Sequence, residues 1–103
     1  MGTLTFQQLA AEHKIFEALG NEARYAIIKA ALQKPEGITL KILEEDIRGL
    51  DLDAQTLRYH LGVLVASELL ECAEGPRNLK IYLVNSKTLK NLAWRISSWI
   101  PNL

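Results

Sequence analysis

A single hairpin pattern, LLECAE-GPRN-LKIYLVN, stands in a chain that is otherwise patterned for helices. Gly75 and Pro76 mark its turn, and apolar, β-branched and aromatic residues alternate with polar ones in its second strand. It follows directly on QTLRYHLGVLV, in which apolar residues recur at helical spacing. Apart from a short β-prone piece at Ile38-Thr39, the other patterned segments are helical. The chain is therefore predicted to be mainly α with a small β-hairpin.

Five segments have apolar residues at helical spacing, and each is preceded by a residue suited to an N-cap. The predicted N-caps are Thr5, Asn21, Thr39, Asp53 and Ser86. Gly20, Pro35, Gly49 and Pro101 are predicted to end the first, second, third and last helices. The fourth helix is expected to span 54–68. The predicted order is helix, helix, short strand, helix, helix, hairpin, helix.

Length and charge limit the possible functions. The 103 residues suit one domain, 1–103, with a core modest enough to leave a face for an oligomer partner. Twelve Lys and Arg balance twelve Asp and Glu, so nucleic-acid binding would have to depend on local charge. Cys72, the single cysteine, excludes an intramolecular disulfide. With no membrane-spanning run and no signal-peptide pattern, we expect a soluble cytoplasmic protein without a membrane partner.

Two consecutive short helices followed by a hairpin with a basic turn form the layout of a winged helix-turn-helix. The stretches ALGNEARYAIIKAAL and QTLRYHLGVLVASELLE, with a hairpin ending in KIYLVN, resemble the ArsR-type winged-helix transcriptional regulators across most of the chain. The motif residues are Leu19, Gly20, Asn21 and Arg24, and then Thr56, His60 and Leu61. The resemblance implies a homodimeric regulator that binds specific double-stranded DNA sequences, with recognition helix 54–68 in the major groove and wing 69–85 on flanking backbone or minor groove.

The recognition helix has two faces, with Leu57, Leu61, Leu64 and Val65 on one and Gln55, Tyr59, Gly62 and Ala66 on the other. Gln is suited to adenine and Arg to guanine, while hydroxyls and wing cations suit phosphates. The predicted DNA-binding residues are Gln55, Thr56, Arg58, Tyr59, His60, Arg77 and Lys80. Gly62, on the outward face, suggests close approach by a phosphate backbone or another helix.

Each of these residues has a plainer interpretation. Gln55 and Arg58 suit an ordinary helix surface, and Arg77 a solvated turn. Tyr59 can be partly packed with its hydroxyl in water, and His60, at the edge of the apolar stripe, can be a half-buried histidine. Arg24 can hold a phosphate or an internal carboxylate; the pattern favours neither.

The terminal helices are predicted to pair two copies of the chain. The last helix carries two tryptophans and an aliphatic stripe, which is more apolar surface than a lone terminal helix needs. We expect helices 6–19 and 86–100 to form the dimer interface through Phe6, Leu9, Leu89, Leu92, Ile96 and Trp99. The alternative is that Trp94 and Trp99 cover the core of their own chain.

Neither a metal nor a cofactor is predicted, and no enzyme activity. Metal-sensing members of the family carry cysteines in the third helix or Asp and His ligands on the last, and LKILEED and KTLKNLAWRISSWI have neither set. His13, His60 and Cys72 form no nucleophile-base pattern, and no glycine-rich phosphate loop occurs. Cys72 is expected to be a small packed hydrophobe. Any effector would be an unidentified small molecule or protein.

The acidic run Glu44-Glu45-Asp46 is the main feature against DNA binding, because it would repel a duplex that it faced. Together with the zero net charge it favours the alternative function, a winged-helix protein-protein interaction module that does not bind DNA. The connection RGLDLD is also longer than the usual turn of the family, which puts the angle of the recognition helix in question.

Overall fold

Five α-helices and one antiparallel hairpin make up the computed structural model, which describes residues 5–99. The elements are α1 (Phe6–Leu19), α2 (Glu22–Leu32), α3 (Leu40–Asp46), α4 (Ala54–Ala66), β1 (Leu70–Glu74), β2 (Lys80–Val84) and α5 (Ser86–Trp99). There are also two 3-10 turns. Arg48–Leu50 precedes α4, and Pro76–Asn78 forms the tip of the hairpin. The predicted fold class and element order are confirmed.

Capping side chains set the starts of the helices. The Thr5 hydroxyl accepts from the Gln8 N–H, while the Gln8 side chain accepts from the Thr5 N–H, which closes a capping box. Asn21, Thr39 and Asp53 cap α2, α3 and α4 as predicted. For α5 the prediction of Ser86 is wrong, because Asn85 Oδ1 accepts the Thr88 N–H at 3.3 Å and Ser86 is already helical.

Helices α3 and α4 end earlier than predicted. After Asp46 the backbone of Ile47 leaves helical geometry, at φ −114° and ψ 28°, so Gly49 lies in the 3-10 turn and does not end the helix. Asp51 then takes φ 53°. This turn accommodates the long connection before Asp53 caps α4. At the other end of α4, Glu68 adopts φ 66° and turns the chain into β1.

The core lies where α2, α3 and α4 meet. The leucine stripe of α4, meaning Leu57, Leu61 and Leu64, is at most 1% exposed. It packs with buried side chains of the other elements, namely Ala18, Ile27, Ile28, Ala31, Ile38, Leu43, Leu69 and Leu70. The predicted inward face of the recognition helix is therefore the centre of the core.

One short bridge ties the hairpin to the helices. Ile38 and Tyr82 exchange both backbone hydrogen bonds, each 2.8 Å long. Gly37 makes this approach possible, because it has φ +114° and a Cβ there would collide with Ile81. The hairpin is thus anchored at β2.

The rest of the hairpin extends away from the core. Its strands pair in register from Leu70 opposite Val84 to Glu74 opposite Lys80, and Leu70 is the one buried residue of β1. Cys72 is exposed, so the expectation that it packs inside is wrong. The reason is that β2 lies between Ile38 and β1, so β1 is the outer strand and Cys72 is on the side of Tyr82 away from the helices. None of the helices described between residues 5 and 99 has the length and apolar run needed to cross a lipid bilayer.

Candidate nucleic-acid interface

The outward face of α4 presents three of the predicted contact residues. Gln55, Arg58 and Tyr59 are exposed opposite the buried leucine stripe, and Tyr59 is 65% exposed. Tyr59 is therefore mainly a surface residue. Farther along this face, a Cβ built on Gly62 would meet nothing within 4 Å. No packing inside the described domain requires glycine at that position.

The start of α4 is held by Asp53 and Thr56. The Thr56 N–H donates to Asp53 Oδ1 at 2.7 Å. This bond, with a second from the Thr56 hydroxyl, holds the pKa of the Asp53 carboxyl below its ordinary value. Thr56, predicted to contact a phosphate, thus holds the capping carboxylate through its backbone N–H. A carboxylate also stands at the N-terminal end of the helix.

His60 lies in the interior and not on the exposed face. Its residue is 8% exposed, and Arg24 Nη1 lies 3.1 Å from its Nδ1. A guanidinium can only donate, so Nδ1 accepts and the proton of the neutral ring is on Nε2. Burial first, and then the positive charge of Arg24, lower the pKa of His60. His60, although predicted to contact DNA, is thus a buried residue that connects α4 to Arg24 of α2.

Within residues 5–99 Arg24 donates to backbone carbonyls and to His60, and not to the internal carboxylate that its sequence position suggested. Its Nε donates to the carbonyl oxygen of Ala18 at 2.7 Å, and its Nη2 to that of Glu17 at 3.5 Å. These carbonyls belong to the last turn of α1, which has no basic residue of its own. The guanidinium therefore provides the positive charge that a helix C-terminus favours.

The wing presents two cations. Arg77 and Lys80 are exposed, and Arg77 has φ 59°, as does Asn78 beside it. Left-handed backbone costs a residue with a Cβ about 1–2 kcal/mol. In β2 of the wing, burial and then the neighbouring Cys72 raise the pKa of Tyr82, while the positive charge of Arg58 lowers it. The hairpin follows α4 directly, and β1 packs against that helix, so the wing and the exposed face of α4 belong to neighbouring elements.

The acidic run of α3 divides between two sides. Asp46 is bound by Lys34, which follows the end of α2 and whose Nζ lies 2.8 Å from Oδ2. Glu44 instead lines a shallow depression with Arg48, Asp51 and Leu57. The acidic charge is therefore only partly neutralised, and some of it lies near the start of α4.

The predicted dimer residues on α1 are prominent. Phe6 is 85% exposed, Leu9 is exposed beside it, and Phe16 extends the same side of the helix. Phe16 did not enter the sequence prediction, although its position on a helical wheel falls beside Leu9.

The predicted residues on α5 are placed differently. Leu92 is only 7% exposed and is thus buried within its own chain, while Leu89 and Ile96 are half-buried. Trp94 is 75% exposed, so the alternative that it covers the core is wrong for this residue. The side chain of Trp99 and the residues after it lie outside the described part. A salt bridge of 3.1 Å between Arg95 and the buried Glu12 joins α5 to α1.

The helix order, the buried second helix of the pair and the anchored hairpin define a winged helix-turn-helix. No family model matches the chain, and no curated protein matches it. Solved structures are similar to it, among them an ArsR-like transcriptional regulator from Rhodococcus sp. RHA1. That structure aligns with a TM-score of 0.78 and 21% identity over 89% of this chain and 81% of its own.

Two further solved structures extend the comparison. The homodimeric winged helix-turn-helix DNA-binding domain Mb0332 from Mycobacterium bovis, a possible ArsR-family regulator, has a TM-score of 0.69 and 15% identity over 95% of this chain and 89% of its own. The transcriptional repressor BigR from Xylella fastidiosa has a TM-score of 0.62 and 15% identity over 96% and 100%. The predicted fold, a winged helix-turn-helix like that of the ArsR-type regulators, is confirmed.

The buried His60 predicts a pH-dependent stability. In the unfolded chain it titrates near its ordinary value of 6.5, and in the folded chain lower, so the unfolded chain binds more protons below that pH. The free energy of unfolding should therefore fall as the pH drops below about 6.5 and level off below the folded pKa. Urea denaturation between about pH 7.5 and pH 5.5 measures this, above the range of carboxyl titration.

The His60→Asn variant should lose this dependence, because it retains an acceptor but has no titrating group. His13→Asn is the matched control, since the His13 side chain is 75% exposed. An equal pH dependence in wild type and His60→Asn would contradict the interpretation.

Proposed function

We propose that this protein is a DNA-binding transcriptional regulator that recognises specific double-stranded sequences as a homodimer. In this proposal α4 enters the major groove and the wing contacts flanking backbone or the minor groove. The observation that carries it is the outward face of α4, which exposes Gln55, Arg58 and Tyr59 opposite the buried leucine stripe and is followed directly by a hairpin that exposes Arg77 and Lys80. The fold shared with transcriptional regulators supports the same function.

The proposed contacts follow from the chemistry of each side chain. Arg58 can bind guanine with two hydrogen bonds, and Gln55 can pair with adenine. Arg77, Lys80 and the Tyr59 hydroxyl suit phosphate oxygens, which set register without reading sequence. His60 makes no direct contact with DNA in this proposal, because it is buried against Arg24.

Selection of bound duplexes from a random pool tests the proposal. Wild type should enrich one sequence at low salt. Arg58→Ala should relax the preference at one base position at a cost of about 1–3 kcal/mol. Arg77→Ala should weaken binding to all sequences alike and reduce the salt slope by about 1, because one phosphate contact is lost.

Lys29→Ala is the matched control, since Lys29 is an exposed cation on α2, outside the proposed surface. It should bind as wild type does. Unchanged binding in both arginine variants would rule out these contacts, and a wild type that enriches no duplex would rule out the function.

Gly62→Ala should change stability and DNA binding in opposite directions. The new methyl group meets open space in the protein, so the helix should gain about 0.5–1 kcal/mol. If the duplex approaches this turn closely, affinity should fall on the order of tenfold, the typical cost of an extra methyl group in a packed contact.

Thermal unfolding and titration of the selected duplex measure the two effects of Gly62→Ala. Gly49→Ala is its control, because a Cβ there also meets nothing within 4 Å and the residue lies in the turn before α4. Equal effects of the two variants on DNA affinity would contradict the close approach.

We also propose that a single domain dimerises through α1 and α5. Phe6 and Leu9 leave an apolar surface on α1 exposed to water, which a second copy can cover. Phe6→Glu should give a monomer by sedimentation, because a carboxylate would be buried unpaired in the interface. Glutamate in the first turn favours the helix dipole, so α1 itself should remain folded.

Tyr25→Glu is the matched control for dimerisation. Tyr25 is 57% exposed near the start of α2, and its replacement should leave the dimer intact. A Phe6→Glu variant that sediments as a dimer would exclude α1 as the interface.

A second candidate function is a protein-interaction module that does not bind DNA. It is favoured by the carboxylates near the start of α4, where Glu44, Asp51 and Asp53 are all exposed and none forms an ion pair within residues 5–99. Failure to retain any duplex at low salt, where phosphate contacts are strongest, would favour this module.

A further inference from the structure

The Arg24 side chain connects three helices at one point. It projects from the first turn of α2, donates through Nε and Nη2 to the last turn of α1, and donates through Nη1 to His60 of α4. The contact with His60 joins residues 36 positions apart in the chain. A guanidinium is planar and presents its donors in a fixed fork, so the positions of its three partners become mutually dependent.

The connection continues to the proposed DNA-binding surface. The ring of Tyr59 meets that of His60 edge to face, with centroids 5.4 Å apart and an angle of 62° between the rings. Tyr59 is itself exposed on the outward face of α4. A displacement of Arg24 would therefore be passed through His60 to a side chain that points away from the domain.

Direct packing between α1 and α4 is incomplete beside this link. An open cleft of about 270 Å³ lies between them, and its lining includes Lys14 and Glu17 of α1, Tyr59 and Val63 of α4, and Arg24 itself. Water occupies such an open space at little cost, so packing alone restrains the two helices weakly there. The hydrogen bonds of Arg24 are the stronger restraint at this edge of the domain.

We propose that Arg24 is a positioning residue that fixes the orientation of α4 relative to α1 and thereby the spacing of half-sites that the dimer accepts. The inference rests on the proposed function, because α1 is the proposed dimer helix and α4 the proposed reading helix. In a two-fold dimer, the separation of the two recognition helices must match the separation of the two half-sites. A small rotation of α4 about the Arg24 contact changes that separation.

The experiment uses the duplex selected by the 103-residue chain and a series of duplexes in which base pairs are added or removed between its half-sites. Wild type should prefer the selected spacing by roughly tenfold over a change of one base pair. Arg24→Met and His60→Leu should each reduce this preference to about twofold, because each removes the same hydrogen bond. The double variant should be no worse than either single one.

Two controls separate positioning from general damage. His60→Asn keeps an acceptor near the position of Nδ1 and should retain the spacing preference. Lys14→Met removes a cation from the same cleft, which none of the Arg24 bonds involves, and should also retain it. If Arg24→Met does not fold, Arg24→Lys replaces it, because a lysine keeps the charge but cannot direct donors at three partners.

The outcomes distinguish the inference from the function on which it rests. Arg24→Met and His60→Leu variants that lose affinity equally at every spacing, or that bind as wild type does, would overturn the positioning role and leave the regulator intact. A wild type that binds DNA without any spacing preference would do the same. A wild type that binds no duplex would remove the proposed function, and the inference with it.

Discussion

The burial of one leucine stripe organises this domain. Leu57, Leu61 and Leu64 are at most 1% exposed, and each such side chain contributes roughly 1.5–3 kcal/mol when it leaves water. Because all three belong to α4, the helix cannot rotate about its axis without exposing them. The same constraint therefore fixes the inward face and decides that Gln55, Arg58 and Tyr59 point outward. The helical spacing of residues on α4 thus determines both which side chains pack in the core and which ones form the proposed DNA-binding surface.

The wing depends on that core through a narrow connection. A two-stranded hairpin is marginally stable alone, and here only Leu70 of β1 is buried. The paired backbone bonds between Ile38 and Tyr82 hold β2 against the helices, and the left-handed Gly37 leaves room for them. Because β1 lies on the side of β2 away from Ile38, Cys72 is exposed even though it is paired with Tyr82, and Lys80 is exposed near the hairpin tip. The wing is thus fixed at its base and open at its tip.

Local patterns predicted the fold well, because helix starts and periodicity depend on near neighbours. Thr5, Asn21, Thr39 and Asp53 cap as their side-chain chemistry indicates. At the start of α5, Asn85 and Ser86 both have side chains that can cap a helix. The helix begins at Ser86, so Asn85 is the residue whose side chain accepts the hydrogen bond. The sequence pattern did not predict hydrogen bonds between residues that are distant in the chain.

Long-range pairing explains the remaining differences between prediction and structure. The bond between Arg24 and His60 spans 36 positions, and that between Arg95 and Glu12 spans 83. No periodicity indicates such partners, so the pattern could not separate the prediction that His60 contacts DNA from the alternative that it is half-buried. Trp94 shows the same limit, since its hydrophobicity suited either a dimer surface or the core of its own chain, and the structure leaves it exposed to water.

Several features of the chain depart from a local preference, and three of them lie on the proposed interaction surfaces. Gly62 weakens the middle of a helix although no neighbour requires it, Arg77 holds a left-handed backbone that suits glycine or asparagine, and Phe6 leaves a large ring 85% exposed. Helix propensity, turn chemistry and the burial of apolar residues usually all favour the same fold, and departures from them are concentrated at functional sites. Two of the three lie on the proposed DNA surface, and the third lies on the proposed dimer helix. Their placement is most simply explained if contacts outside the single chain offset their cost.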